Sequence, residues 1–369
     1  MMKTGLWLVL AAAIVPLVKD RPFKQQKVSE ERFEAVGVFD VNGDKVPDLV
    51  SGEWWYEGPS FKKKFFIGKV RAEGEYYDDF STIPMDVNGD GRMDFVTGGW
   101  FGGTLIWKEN TGKLGAEWPE HVIDACGNVE TTRAWDVDGD GTPEIVPNNP
   151  GRPFKMYRLN KDGSFTKFQL LEKQGHGLGF GDVNGDGRGD FILADGWLEA
   201  PEKPFAQKWV FHEDFKLGQA SVPILVTDVD KDGKNDLIVG AAHDYGLFWY
   251  KQSDANGQRT WEKKLIDDKN SQYHEMHWRD ITGDGKPELV TGKRYRAHND
   301  NDAGAKDDYG MFYFTWNGTG FDKHTIIFGP AGQSKGTGIA MEIVDLNGDK
   351  LPEIVAAGKD GLSVFWNGK

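Results

Sequence analysis

Seven short stretches of this chain bring oxygen-bearing side chains together at one fixed spacing. They read DVNGDKVPD, DVNGDGRMD, DVDGDGTPE, DVNGDGRGD, DVDKDGKND, DITGDGKPE and DLNGDKLPE. Positions 1, 3, 5 and 9 carry the oxygens. In chain order they are Asp40, Asn42, Asp44 and Asp48; Asp86, Asn88, Asp90 and Asp94; Asp136, Asp138, Asp140 and Glu144; Asp182, Asn184, Asp186 and Asp190; Asp228, Asp230, Asp232 and Asp236; Asp280, Thr282, Asp284 and Glu288; Asp345, Asn347, Asp349 and Glu353. Hard Ca²⁺ takes about six to eight such oxygens, and a mid-loop Gly allows the sharp turn. An EF-hand would close later in its loop, with Glu, between helices. Here the closing acid opens an apolar run of strand type. The expectation is up to seven structural calcium ions. Thr282 weakens its loop as a calcium site, and Lys45 and Lys350 stand where Gly is usual.

A second set of side chains points to other chemistry. The stretch HEMHWRD places His274 and His277 on one strand with an acid between them. Glu130, His176 and His274 all lie six residues before their loops, and Arg133 and His277 lie three before. Asp195 and Lys293 lie five residues after a closing acid. His243, Arg294, Tyr295 and His298 follow in the connections beyond. Imidazoles and carboxylates together suit a divalent transition ion or an acid–base pair. The plainer reading is a polar rim with satisfied histidines.

Both sets must be positioned by repeating elements. Loop starts are 46, 50, 46, 46, 52 and 65 residues apart, the period of radial or stacked units. Each repeat reads as four strands. One enters the loop, and one leaves it, as in DLVSG, DFVTG and DLIVG. A third is aromatic, as in WWYEG, GLFWYKQ and MFYFTWN. A fourth mixes Lys with β-formers, as in FKKKFFIG and WEKKLID. The seventh repeat stops after its third strand. Residues 22–30, PFKQQKVSE, match the missing fourth. The fold expected is an all-β, seven-bladed β-propeller whose ring the N-terminal strand closes, leaving no open edge. All loops then share one face, and the His-bearing positions ring the channel mouth on the other.

Composition agrees with this plan. The net charge is −14, and 23 of the 58 acidic residues are loop positions. Seven Ca²⁺ would add +14 and cancel it. Nothing basic clusters as nucleic-acid binding requires. Residues 1–18 carry an early Lys and then an apolar run, which reads as a signal peptide and not a membrane span. The propeller would be residues 19–369, secreted or periplasmic. Cys126 is the only cysteine, so no intrachain disulfide can form. Arg188, Gly189 and Asp190 spell an adhesion tripeptide, but Asp190 is also a closing loop acid and is not free for a receptor.

The loops and their following strands resemble the FG-GAP and VCBS repeats of integrin-type propellers. Residues 175–190, GHGLGFGDVNGDGRGD, and 274–300, HEMHWRDITGDGKPELVTGKRYRAHND, resemble the propeller domain of aldos-2-ulose dehydratase and its bacterial relatives. That resemblance implies elimination of water from a keto-sugar. It also implies no isomerase activity, because the cupin domains that serve that step have no counterpart here. On this reading a carbon–oxygen lyase acts on a carbohydrate. A divalent metal would sit among His176, Glu130, His274 and His298. His277 or His243 would be the base, and Arg133, Lys293 and Arg294 would steady negative charge. The alternative is a propeller that holds glycan or protein at the same mouth without chemistry, because the fold hosts both.

Overall fold

Short strands of alternating character must bury at least one face, and stacked blades bury both. The structure, a computed structural model, describes residues 22–368. The expected signal segment, 1–18, lies outside them. The described residues form seven four-stranded antiparallel sheets. The strand of each sheet that enters the loop is Gly37–Phe39, Ile83–Met85, Thr131–Trp135, Leu178–Gly181, Leu225–Thr227, Tyr273–Arg279 and Met341–Val344. These seven are the innermost strands of blades one to seven. In blade seven the order continues through Glu353–Ala356 and Leu362–Asn367 to Phe23–Ser29. Phe23 pairs antiparallel with Asn367, and Lys27 with Ser363.

Each main core cluster lies between two blades. Val50 and Trp55 of blade one pack with Phe95 and Trp118 of blade two. Phe154 and Met156 of blade three pack with Phe191 and Leu198 of blade four. Leu49 and Tyr56 of blade one pack with Val355 and Val364 of blade seven. The first and last blades are therefore neighbours, and packing closes the ring. Both faces of each sheet are covered, which explains why DLIVG and ELVTG are continuous apolar runs without alternation.

The loops are organised by their closing acids. All seven of these carboxylates are buried. In every loop one oxygen accepts the N–H of the loop's second residue, at 2.8–3.3 Å. In four blades the other oxygen accepts the N–H of Gly58, Asn110, Ala200 or Gln252, each at 2.8 Å. Gly58, Asn110 and Ala200 follow the third strand and Gln252 lies within it, so one side chain ties three strands together. The sixth loop position needs positive φ. Gly91 and Gly187 supply it, and Lys45 at 67° and Lys350 at 71° adopt it as well. The lysine loops thus keep the glycine geometry at a cost of roughly 1–2 kcal/mol each.

Blade seven takes its outer strand from the other end of the chain. Deleting residues 22–30 is expected to strip that strand, expose the edge of Leu362–Asn367, and lower the melting temperature by many degrees or cause aggregation. Thermal denaturation of the truncated chain tests this. An unchanged melting curve would show that the strand is dispensable.

Candidate functional site

The mouth opposite the loops collects side chains from four blades. Glu130 immediately precedes the innermost strand of blade three, and His176 lies just before that of blade four. His274 sits on the innermost strand of blade six. His243 comes from the connection after the second strand of blade five. Their four ligand atoms all lie within 4.8 Å of one another. His274 Nε2 is 3.0 Å from Glu130 Oε1, and His176 Nε2 is 3.4 Å from it. His176 Nε2 and His243 Nε2 are 3.0 Å apart. A tetrahedral ion with ligands at about 2.0–2.1 Å separates its donors by ~3.4 Å, so the spacing fits such a shell.

The outer nitrogens fix the tautomers. His176 Nδ1 donates to the Ala220 carbonyl at 2.8 Å, and His243 Nδ1 lies 3.1 Å from Asp302 Oδ2. When both rings are neutral and donate through Nδ1, their Nε2 lone pairs face each other. Something positive must sit between them, either a proton or a cation. Burial, then the neighbouring His176, holds His243 down to about 4. Burial also holds His274 well below the usual imidazole range. Burial alone would raise Glu130, but its bonds to His176 and His274 outweigh this and hold it well below the usual carboxylate range. For His243, His274 and Glu130 these are the directions that metal binding requires, neutral imidazole and ionised carboxylate. Hydrogen bonds to the outer nitrogens of two of the histidines match the outer-shell support typical of metal-bound imidazole. His274 departs from that pattern, because its Nδ1 is buried without a partner.

A second pair stands beside the cluster. Asp302 Oδ1 accepts from His298 Nδ1 at 2.9 Å, while its other oxygen faces His243. The His298 and His243 rings stack at 4.4 Å. The His298 side chain is 50 % exposed, whereas those of His176, His243 and His274 are at most 8 % exposed. His298 sits on the short turn Ala297–Asp300, where His298, Asn299 and Asp300 all have positive φ. Strained backbone of this kind persists only where its surroundings hold it. Here a two-stranded hairpin, Ala72–Glu73 with Tyr76–Tyr77, reaches over. Tyr76 Oη accepts the Asn299 N–H at 3.0 Å, and Glu75 pairs with Arg296 at 3.3 Å.

The remaining expected residues are not gathered at this centre. Arg294 comes nearest. It is buried, and it contacts Glu130 at 3.3 Å and both oxygens of Glu34 at 3.3 Å. Lys293, its neighbour on the chain, points away, and its ammonium donates to the Gly304 and Asp307 carbonyls. Alternation along the strand separates the two, so the expectation that Lys293 steadies substrate charge does not match its placement. Tyr295 packs on Tyr309 at 4.3 Å. Arg133 and His277 both bind the buried Glu275, His277 at 2.9 Å. They form a separate group, so His277 is not the base beside the cluster. Asp195 Oδ2 lies beside Gly175, near the start of blade four. His243 is a member of the cluster and His298 flanks it, the reverse of the roles read from the sequence. Asp302 and Tyr76 were missed. The i,i+4 spacing of His298 and Asp302 was the available signal for Asp302.

On the loop face, three loops bring acids within 4.8 Å: Asp136, Asp138 and Glu144; Asp228, Asp230 and Asp236; Asp280, Asp284 and Glu288. Burial, with neighbouring loop acids pushing the same way, raises Asp48, Asp94 and Asp190 to about 6 and Glu144 and Glu288 to about 7. Ion pairs to loop carboxylates come from Arg92 to Asp90, Arg158 to Asp138 and Asp140, Arg188 to Asp186, and Lys251 to Asp230 and Asp232.

The class follows from the fold and its loops. The chain is a seven-bladed β-propeller carrying FG-GAP-like repeats, and that repeat pattern matches residues 86–146, 136–193 and 228–291. No curated protein matches the chain. Among solved structures, it is similar to an Agrocybe aegerita lectin that recognises non-reducing terminal N-acetylglucosamine. That similarity has 16 % identity and a TM-score of 0.50, over 92 % of this chain and 86 % of that one. BBS1N, solved in complex with ARL6DN, is similar at 10 % identity with a TM-score of 0.53, over 94 % and 96 %. The rhamnogalacturonan lyase YesW aligns at 15 % identity and a TM-score of 0.47, over 95 % and 75 %. These likenesses concern the fold. Among the described residues no helix is long and apolar enough to cross a membrane.

Arg294 neutralises two buried acids at once. Arg294→Met should cost about 3–5 kcal/mol, because Glu130 loses its buried cation and Glu34 keeps only Lys359, at 3.7 Å. Urea denaturation measures it, and a loss below 1 kcal/mol would mean that the acids find other partners.

Proposed function

We propose that this chain is a secreted or periplasmic carbohydrate-active lyase that eliminates water or an alcohol beside a ketone on a keto-sugar. The observation that carries the reading is the cluster of three imidazoles and one carboxylate, with two Nε2 lone pairs facing across 3.0 Å and the His298–Asp302 pair alongside. The resemblance of residues 175–190 and 274–300 to the aldos-2-ulose dehydratase propeller supports it, because those stretches contain His176, His274 and His298.

Glu130, His176, His243 and His274 would hold a divalent transition ion, which would supply Lewis acidity to a carbonyl oxygen by accepting it as an additional ligand. Asp302 orients His298 through Nδ1 and leaves its Nε2 to take a proton from the carbon next to the carbonyl. The C–H pair becomes the new C=C bond, the C–O bond one carbon further on breaks, and the departing oxygen takes up the proton that His298 removed. The products are a conjugated enone and water or an alcohol. Arg294 contacts Glu130 at 3.3 Å and holds it in place. A second reading, a glycan-holding propeller without chemistry, is favoured by the low exposure of the cluster. On either reading the loops hold structural calcium, and residues 22–30 close the ring.

Protein purified without chelator should carry about one zinc, manganese or nickel per chain, and His176→Ala and His274→Ala should lose it. His298→Ala should keep the metal and lower kcat by roughly 10²–10⁴-fold on the substrate that reacts. The assay is a panel of 2-keto and 3-keto sugars and glycosides, followed by near-ultraviolet absorbance and by mass loss. Wild-type protein that carries no transition metal and converts no member of the panel would favour the binding propeller.

Calcium has its own test. Chelation should lower the melting temperature by several degrees or more, because an ion that binds only the folded chain stabilises it by mass action. A melting curve unchanged after verified calcium removal would remove the loops' structural role for that ion.

A further inference from the structure

The loop face contains a cavity of about 900 Å³ at the junction of blades five and six. Trp278, at the end of the innermost strand of blade six, and Trp316, at the end of its third strand, form its apolar wall. Both are only partly buried, although they pack against a buried cluster that includes Trp249. Phe321 ties them together, with ring centroids 6.3 Å from Trp278 and 5.3 Å from Trp316. The wall is therefore rigid. The rest of the lining is polar and carries Lys231, Lys286, Thr315 and Asp322, together with the loop acids Asp228, Asp284 and Glu288.

The corresponding groove between blades one and two is built differently. That groove is lined by Trp55 and Trp118, and both are buried, at 2 % and 4 % exposure. Between blades five and six the indoles stay open to a concavity of ligand-binding size. Rigid aromatic surface framed by hydroxyl, carboxylate and ammonium groups is suited to a ring with one apolar C–H face and hydroxyls at its edge. The rim carries both signs of charge, which selects against a strongly anionic or cationic ligand.

We infer that the cavity walled by Trp278 and Trp316, with Phe321 packed against both, is a binding site for a neutral oligosaccharide, separate from the His-bearing mouth. It lies on the opposite face of the ring, so a glycan held there leaves the mouth free. This goes beyond the proposed lyase reaction, because such a site would hold a polymer while its end is processed elsewhere. It does not need that reaction to be correct.

The probes are cellohexaose, xylohexaose, mannohexaose and chitohexaose, titrated calorimetrically and by tryptophan fluorescence into the full chain with calcium present. At least one should bind, and Trp316→Ala and Trp278→Ala should each weaken it by about 10-fold or more. Lys286→Trp plugs the cavity from its exposed rim. It should have the same effect without touching the aromatic wall, and it covers the case in which an alanine variant fails to fold. All three variants should leave metal content and any turnover of small keto-sugars unchanged. Absence of binding by all four probes would overturn the proposal, as would binding that survives Lys286→Trp. Loss of turnover alone bears on the mouth and not on this site.

Discussion

A buried carboxylate at the end of each loop is the constraint on which the rest of this molecule depends. It is placed where a charge is costly, and it is tolerated because backbone N–H groups surround it. In four blades it joins the first, second and third strands at once. The innermost strand is thereby locked to its sheet at the loop end, and its other end is left to carry side chains into the mouth. The positions before each innermost strand can then vary in chemistry without disturbing the blade.

That division of labour explains the mouth. Glu130, His176 and His274 occupy equivalent positions on three blades, so the ring brings together residues up to 144 positions apart. Arg294 links the cluster to Glu34 on blade one across a fully buried contact. Such a group is expensive to assemble and would be replaced by apolar packing if stability alone mattered. The hairpin that carries Glu75 and Tyr76 and the turn that carries His298 meet over it, so the only half-exposed imidazole of the group is held by elements outside the blade framework.

The fold was legible because its signal is periodic. The loop repeat gives seven units, and the apolar run after each closing acid gives the second strand. The missing fourth strand of the last repeat pointed to residues 22–30, which do pair with Leu362–Asn367. The mouth was legible as a set of positions but not as a geometry. Counting residues back from each loop found Glu130, His176 and His274, because inner strands share a register. The connections have no shared register, so the same counting could not separate His243 from His298 or find Asp302. It also could not tell that Lys293 and Arg294 face opposite ways, although strand alternation would have said so had the strand been known to extend to Lys293. Two loops, those at Asp136 and Asp228, carry an Asp at the third position where others carry Asn or Thr. In the structure Arg158 and Lys251 lie on those same two loops.

Among the described residues, the ion pairs to loop carboxylates all fall in blades two to five. The other arc, through blades six, seven and one, holds its loop acids without such partners among the described residues, through backbone N–H donors such as those of Lys45, Gly285 and Lys350. The loop face is therefore braced in two ways around one ring. Salt screens exposed ion pairs, so rising ionic strength would loosen one side of this face before the other.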